Sequence, residues 1–200
     1  MSRNRGPYAK GIVRREEILA VALEVIAQNG CRKASSREIA RRVGLSQAGL
    51  MHYFGSREQL YEAVLRARDE LDNETYYLPN PTFEGFLALV AHNAQVPGLV
   101  QLYGEYSAEA TAPGHPSREF FLRRYDWMRE MGVRAIHGAQ ERGEMGPAVD
   151  VGAALDLVIA AADGLQMQWA LDHSVDVTGR LAALWESLCR SSWSSSAGRP

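Results

Sequence analysis

The sequence predicts an all-α protein, in which an N-terminal domain of three helices is joined by a linker helix to a C-terminal helical bundle, with about nine helices in total. Three observations lead to this prediction. Apolar residues recur at helical spacing along most of the chain, whereas no alternating run of the β-strand type has any length. Serine caps and glycine stops follow one another closely near the N-terminus. Positive charge is concentrated in that same N-terminal third.

The first two helices are indicated by an apolar repeat and by a cap. The repeat of the first helix consists of Ile18, Ala22, Val25 and Ile26. Asn29–Gly30 then supplies a C-terminal stop. Ser35 and Glu38 form a capping-box pattern, in which the serine accepts from the third helical N–H and the glutamate reaches back to the cap. We therefore expect a second helix over about 36–43, ended by Gly44 in a left-handed conformation.

The third helix and the linker helix begin with the same kind of signal. Ser46 is placed to cap a short helix that runs through Tyr53, and Gly55 ends it. Ser56 and Gln59 form a second capping box, which starts the linker helix at 56–77. One face of that helix carries Leu60, Val64, Ala67 and Leu71.

Proline and glycine clusters divide the rest of the chain. The predicted helices are 82–95, 98–111, 117–142, 151–172 and 177–190. We expect four regions: a flexible basic arm at 1–10, a small domain of three short helices at 11–68, a larger helical bundle at 69–190, and a disordered serine-rich tail at 191–200.

The net charge of −2 conceals a strong asymmetry. Residues 1–68 hold 13 lysines and arginines against 6 acidic residues, so their net charge is +7. The remaining residues hold 9 basic against 18 acidic residues, or −9. The basic third therefore has the charge of a nucleic-acid-binding domain although the whole chain does not.

A helix, a tight glycine turn and a second short helix form the helix-turn-helix arrangement, whose second helix enters a major groove. The outward residues of that helix are Gln47, Ala48, Gly49, His52 and Tyr53. Candidate phosphate partners are Ser35, Arg37, Arg41, Tyr53 and Arg57, with Arg3, Arg5 and Lys10 in the arm. The alternative is a charged helix surface that is merely hydrated.

The stretch from Ala34 to Leu60 resembles the DNA-binding signature of TetR-type transcriptional regulators. Positions that match the signature are Ile39, Ala40, Gly44, Ser46, Leu50, Phe54 and Leu60, with Ser35, Leu45 and Arg57 as conservative matches. The resemblance implies that bases are read by Gln47, Ala48, Gly49 and His52, and that phosphates are held by Ser35, Ser46, Tyr53 and Arg57. Two departures stand out: Met51 replaces the usual tyrosine, and Gly49 costs the recognition helix about 1 kcal/mol relative to alanine.

For the C-terminal bundle, the resemblance implies dimerisation through the last two long helices and an effector pocket among the middle ones. A heptad-like seam and a second apolar face fit the interface: Leu155, Val158, Ala162, Leu165 and Trp169, then Leu181, Leu184, Trp185 and Leu188. The alternative is that a seam packs on the chain's own core. A dimer would read a near-palindromic operator.

Candidate residues of the effector pocket are aromatic or apolar, as suits a small and largely apolar ligand: Phe86, Val90, Tyr103, Tyr106, Phe121, Tyr125 and Met128. Such a stripe also fits plain core packing. Asp156 and Asp163 lie seven residues apart on one helix face. They suit either a cationic ligand or a salt bridge at an interface or at the rim.

The sequence and the resemblance together predict a homodimeric DNA-binding regulator of the cytoplasm. The resemblance implies that it is a repressor, released from its operator when a small molecule binds the bundle. The alternative is a helical ligand-binding or interaction protein without DNA binding. An enzyme is not expected, because the five histidines are scattered and no catalytic motif is present. No metal site, cofactor or membrane span is predicted, and the two cysteines fit reduced thiols.

Overall fold

The computed structural model describes residues 7–29 and 35–190, and within these ranges it contains nine α-helices and no strand. The helices are α1 Pro7–Asn29, α2 Ser36–Arg42, α3 Gln47–Phe54, α4 Arg57–Asp72, α5 Phe83–Asn93, α6 Pro97–Glu109, α7 Arg118–Glu141, α8 Val151–Leu171 and α9 Val177–Arg190. A π-helical turn, Asn73–Tyr77, continues α4 to the end of the predicted linker helix. The all-α prediction is confirmed, and the helix ends fall close to the predicted bounds.

The ends of the chain differ from the prediction or lie outside the described part. Helix α1 begins at Pro7, so residues 7–10 of the predicted arm are helical. Residues 1–6, which include Arg3 and Arg5, and the predicted tail 191–200 lie outside the described ranges. No helix in the described part of the chain is long and apolar enough to cross a membrane.

The chain forms two compact units, and the first comprises the residues up to Glu70 together with Val96–Arg118. In this unit α1 packs against α2 and α6, and α2 packs against α3. Its core includes the fully buried Ile18, Val25, Ile39, Leu50, Leu60 and Val64. Burial of each such side chain stabilises the folded state by roughly 1.5–3 kcal/mol relative to leaving it exposed.

Helix α6 belongs to this first unit, whereas the sequence boundaries assigned it to the C-terminal domain. The ring of Tyr106 on α6 meets that of Tyr61 on α4 edge to face, with 5.2 Å between centroids. Both tyrosines are almost fully buried. An apolar helix face shows where a helix is buried but not which helix covers it, so this grouping depends on tertiary packing.

The second unit comprises Leu71–Gln95 and the residues from Glu119 onwards. Helix α8 packs on α9, and α5 packs on α9 and on the π-helical turn. The rings of Phe83 and Trp185 stack with 4.3 Å between their centroids. The end of the Leu155 side chain on α8 lies against Gly132 of α7, in the space that a Cβ there would occupy. Leu155 therefore lies on the buried face of α8.

Candidate nucleic-acid interface

The turn between α2 and α3 is built from local hydrogen bonds that the sequence specifies. Ser35 Oγ accepts from the backbone N–H of Glu38 at 3.2 Å and so caps α2. At the other end of α2, Gly44 has a φ of +70°, and its N–H donates to the carbonyl of Arg41 at 3.2 Å. The N–H of Leu45 donates to the carbonyl of Ala40 at 2.8 Å. These two bonds form a Schellman motif, which stops α2 and redirects the chain into α3.

Helix α3 has a buried apolar side and an exposed polar side. Ser46 Oγ caps the helix by accepting from the N–H of Gly49 at 3.0 Å. Leu50 and Phe54 are buried. The other side carries the predicted base-reading set: Gln47, Ala48 and His52 are exposed, whereas Gly49 is half-buried. Short and polar groups on an exposed helix face can approach base edges in a major groove.

Glu38 differs from the predicted capping box. Its carboxylate accepts from the guanidinium of Arg41 at 2.6 and 2.9 Å, and from Arg42 Nε at 3.5 Å. The hydrogen bond from Arg41 lowers the pKa of Glu38, and the same bond raises the pKa of Arg41. Two of the basic residues on this helix therefore share an acidic partner. Arg37, on the same helix, is exposed.

Arg57 occupies the first position of α4, directly after the capping serine. Its guanidinium carbon lies 5.1 Å from the ring centroid of Tyr61. A side-chain hydrogen bond with Tyr61 raises the pKa of Arg57. Burial raises the pKa of Tyr106, whose ring contacts Tyr61. Arg57, a candidate phosphate contact, is thus an exposed cation packed against the ring of the buried Tyr61, which in turn contacts Tyr106.

Three residues of this region were missed by the sequence reasoning. Arg14 on α1 donates to the carbonyl of Val43 at the end of α2. The guanidinium of Arg15 lies 4.8 Å from the ring centroid of Phe54. Ser36 is buried, and its Oγ accepts from Gln47 Nε2 at 3.2 Å. Arg14 and Arg15 form a basic pair upstream of the apolar repeat, which the sequence shows directly. The contact of Ser36 with Gln47 depends on how α2 packs against α3.

The other predicted DNA-binding residues are placed as follows. Ser35, Ser46 and Arg57 are exposed, and Tyr53 is half-buried with its ring edge-to-face against that of His52. The backbone of Lys10 lies in α1, but its side chain is outside the described part of the structure. Within the described residues, no group of three histidine, cysteine or acidic side chains is placed to hold a metal ion.

The structure divides the predicted effector-pocket residues between the two units. Tyr103 and Tyr106 belong to the first unit, whereas Phe86, Val90, Phe121, Tyr125 and Met128 belong to the second. Of these residues, Val90, Tyr106 and Phe121 are buried, and the other four are half-buried.

The two aspartates of α8 have different partners. Asp163 accepts from the hydroxyl of Tyr125 at 2.7 Å. Asp156 is exposed and pairs with Arg129 of α7 at 3.1 Å. Of the two alternatives that the sequence left open, the salt-bridge reading therefore describes Asp156. Asp163 instead forms a polar contact inside the second unit.

The predicted dimer seam is largely occupied within the chain itself. Leu155, Val158, Ala162 and Trp169 are each less than 10% exposed, and Leu165 is half-buried. On α9, Leu181 and Leu188 are buried, and Leu184 and Trp185 are half-buried. Because a side chain buried inside one chain has little surface left for a partner, this burial favours the alternative that the seam packs on the chain's own core. The apolar residues that α8 does expose form a different row: Leu157, Ala160, Gly164, Met167 and Leu171.

A capped helix-turn-helix with an exposed polar recognition face, in a chain that continues into an α-helical bundle, defines a DNA-binding transcriptional regulator. Comparison with known proteins identifies the family. The sequence profile described as "Bacterial regulatory proteins, tetR family" matches residues 18–64. The segment that carries the helix-turn-helix is therefore a TetR-family DNA-binding domain, and a domain of this family agrees with the prediction that the protein is a regulator and not an enzyme.

Relatives extend the similarity beyond this segment. The chain is 24% identical over 186 residues to the A-factor receptor protein of Streptomyces griseus, covering 90% of this chain but only 64% of that receptor. It is 27% identical over 150 residues to the transcriptional repressor KstR2 of Mycobacterium tuberculosis, covering 69% of this chain and 72% of the repressor. A crystal structure of a TetR-family regulator from Rhodococcus sp. superposes with a TM-score of 0.67 at 22% identity, covering 88% of this chain and 98% of that one. This last likeness confirms the fold.

Proposed function

We propose that this protein is a ligand-responsive regulator that binds a near-palindromic DNA operator as a homodimer and represses transcription until a small molecule occupies its C-terminal bundle. The observation that carries the proposal is the row Gln47, Ala48, Gly49 and His52 on α3 of the helix-turn-helix, in which every residue except the half-buried Gly49 is exposed. We assign DNA binding to residues 11–68, and effector binding and dimerisation to the part of 69–190 that belongs to the second unit.

The phosphate contacts proposed for this surface come from residues around the row. Ser35 and Ser46 stand at the N-termini of α2 and α3, where backbone N–H groups favour an anion. Arg37 and Arg57 are exposed cations on α2 and α4. Tyr53 and Lys10 complete the set that the family resemblance and the charge pattern predicted. These contacts set affinity and position, whereas the row on α3 sets specificity.

We place the dimer interface on the exposed apolar row of α8 defined above, which runs from Leu157 to Leu171. Its spacing of three and four residues produces a continuous stripe along the helix, suited to side-by-side packing with the same stripe of a second copy. Gly164 lies at the centre of the stripe, and a Cβ there would meet nothing within 4 Å. A small residue flanked by large apolar ones allows close approach of a second helix. A dimer is required because one helix-turn-helix reads only half of a palindrome.

We place the effector among α5, α7 and α8 of the second unit. Here Asn93 Nδ2 donates to Gln166 Oε1 at 2.9 Å, and the Tyr125 hydroxyl donates to Asp163 at 2.7 Å. Phe86 and Met128 supply half-buried apolar surface on α5 and α7. Apolar walls with a few polar groups suit a small, largely apolar molecule. The names of the relatives, a receptor of A-factor and a repressor, support a ligand-responsive repressor of this kind.

The proposal is tested by selection of bound duplexes from a randomised DNA library with the purified full-length protein. We expect enrichment of a near-palindrome whose half-site centres are about 10 bp, or a multiple of it, apart. A chain that enriches no sequence, even at low salt, would be a helical binding protein without DNA recognition. Apolar and aromatic metabolites that raise the melting temperature are then added to the complex. A true effector releases the selected DNA at the concentrations that stabilise the protein.

A further inference from the structure

The inference concerns Ser36, which lies one residue after the cap of α2 and was absent from the predicted site. Its side chain is buried at 7% exposure, yet it reaches the first residue of the recognition helix. Ser36 Oγ accepts a hydrogen bond from Gln47 Nε2 at 3.2 Å. Gln47 itself is exposed. One end of the glutamine side chain is therefore tied to a buried anchor, while the residue remains on the surface that faces DNA in the proposed function.

The donors and acceptors of the amide decide what this anchor leaves free. A glutamine side chain has two N–H donors and one carbonyl oxygen. With one N–H bound to Ser36, the group retains one N–H and Oε1. Adenine presents N7 as an acceptor and N6–H as a donor in the major groove, which is the complement of that remaining pair. An amide anchored through its oxygen would instead present two donors, which suits the two acceptors of guanine.

Burial of Ser36 makes the anchor persistent. Few waters compete for a hydroxyl that is 7% exposed, so the bond restricts the rotamers of Gln47 before DNA arrives. A glutamine that is already ordered loses less side-chain entropy on binding a base than a free one does. The anchor therefore raises discrimination at one base pair without adding any contact to DNA.

We propose that Ser36 is a positioning residue for sequence recognition, which holds the Gln47 amide so that each half-site is read as adenine at one position. The inference rests on the proposed function, because it assumes that α3 enters a major groove. It assigns no DNA contact to Ser36. The predicted signature is a change in base preference at a single position of each half-site.

The experiment compares full-length variants in the same library selection. The wild type is expected to enrich adenine at one position per half-site, and Gln47→Ala is expected to lose that preference. Ser36→Ala is expected to weaken the preference at that same position by about fivefold or more, the lower end of what a bidentate pair provides. In the Gln47→Ala background, Ser36→Ala should have no further effect on base preference. Ser36→Thr keeps the hydroxyl and should retain the preference.

Ser56→Ala is the matched control, since it removes a serine whose Oγ caps α4 by accepting from Gln59 N–H at 3.1 Å. It tests whether loss of a helix-capping bond in the same unit alters base preference by itself, and we expect it does not. Salt dependence should be the same for Ser36→Ala and the wild type, because no phosphate contact is lost.

Three results would overturn the inference. In the first, Ser36→Ala weakens binding to all sequences equally, so that the bond only joins α2 to α3. In the second, the preference depends on Gln47 but is unchanged in Ser36→Ala. In the third, the base preference that is lost in Gln47→Ala is for guanine and not for adenine. If the wild type enriches no sequence at all, the proposed function fails first, which distinguishes that failure from a failure of Ser36 alone.

Discussion

Helices α3 and α8 each bury one face and expose the other, but the exposed faces differ in chemistry. On α3 the exposed residues include Gln47 and His52, whereas on α8 they include Leu157, Met167 and Leu171. Polar side chains at a surface form hydrogen bonds to water in the free protein and to base edges or phosphates in a DNA complex, so they are satisfied in both states. A continuous apolar row gains free energy only when another apolar surface covers it. The two faces therefore call for different partners: nucleic acid for α3, and a second copy for α8.

The two helices also differ in how their exposed faces are fixed. The orientation of α3 depends on local hydrogen bonds at Gly44 and Ser46, both within three residues of the helix. The orientation of α8 depends on packing against elements distant in sequence or fold, namely α9 and, at Leu155, Gly132 of α7. Variants that alter one face without disturbing the other can test each assignment separately.

The largest effect is expected from Gly164→Arg in the centre of the α8 row. Because a Cβ at this position meets nothing within 4 Å, the single chain accommodates the side chain without a clash. At a dimer interface the same substitution would bury an unpaired charge, at a cost of about 3–5 kcal/mol. That cost corresponds to about a hundredfold or more in the dimer dissociation constant. Sedimentation equilibrium should show monomers, and binding to the selected operator should be lost.

Gly164→Ala is the control for this substitution, because it adds one methyl group and no charge. We expect it to remain dimeric and to bind DNA normally. A dimer that persists in Gly164→Arg, with unchanged helical circular dichroism, would move the interface away from this row.

The second prediction concerns stability, and it distinguishes the buried apolar row of α8 from the exposed one. In the monomeric Gly164→Arg background, Leu155→Ala is expected to lower the free energy of unfolding by about 2–5 kcal/mol, because it empties a packed site. Leu157→Ala is expected to change it by only about 0.5 kcal/mol, because that side chain is 46% exposed. Urea denaturation followed by circular dichroism measures both. Equal losses would mean that both rows are buried in the single chain.

The difference between α3 and α8 also explains which features the sequence could predict. Caps and left-handed glycines act over three or four residues, so the ends of α2 and α3 were predicted almost to the residue. Helix α8 carries apolar residues at spacings of three and four on both faces, starting from Leu155 on one and from Leu157 on the other. Periodicity cannot choose between two such rows. The choice depends on which row meets α7, and that is tertiary information.

The same limit applies to single contacts between elements. The resemblance to a family pointed to Gln47 as a base reader, but nothing in the spacing of 11 residues indicated its bond to Ser36. Glu38 matched the capping-box pattern, yet its carboxylate binds Arg41 instead. A nearby guanidinium offers a carboxylate a stronger, charge-assisted hydrogen bond than a neutral backbone N–H does.

A smaller effect is expected from Arg57→Ala in the DNA-binding unit. Loss of one phosphate contact should weaken binding to all duplexes alike and reduce the slope of log affinity against log salt by about one unit. Fluorescence anisotropy with the selected operator and with a scrambled duplex measures both quantities. Arg66→Ala is the matched control, since Arg66 is an exposed arginine of the same helix, paired with Glu62 at 3.0 Å. An unchanged slope in Arg57→Ala would remove this residue from the phosphate set.

The smallest effect, and one of opposite sign, is expected from Glu38→Gln on α2. In the free protein the carboxylate of Glu38 holds Arg41 at 2.6 Å and Arg42 at 3.5 Å, so part of the positive charge near α3 is neutralised. Removing the negative charge should free Arg41 for phosphate and steepen the salt slope by up to about one unit. Glu62→Gln removes an equivalent charge from the Arg66 pair on α4 and should leave the slope unchanged. Equal changes in both variants would mean that the net charge of the unit alone sets affinity. A change confined to Glu38→Gln would place Arg41 at the same DNA surface as α3, with its charge regulated by a neighbour one helical turn away.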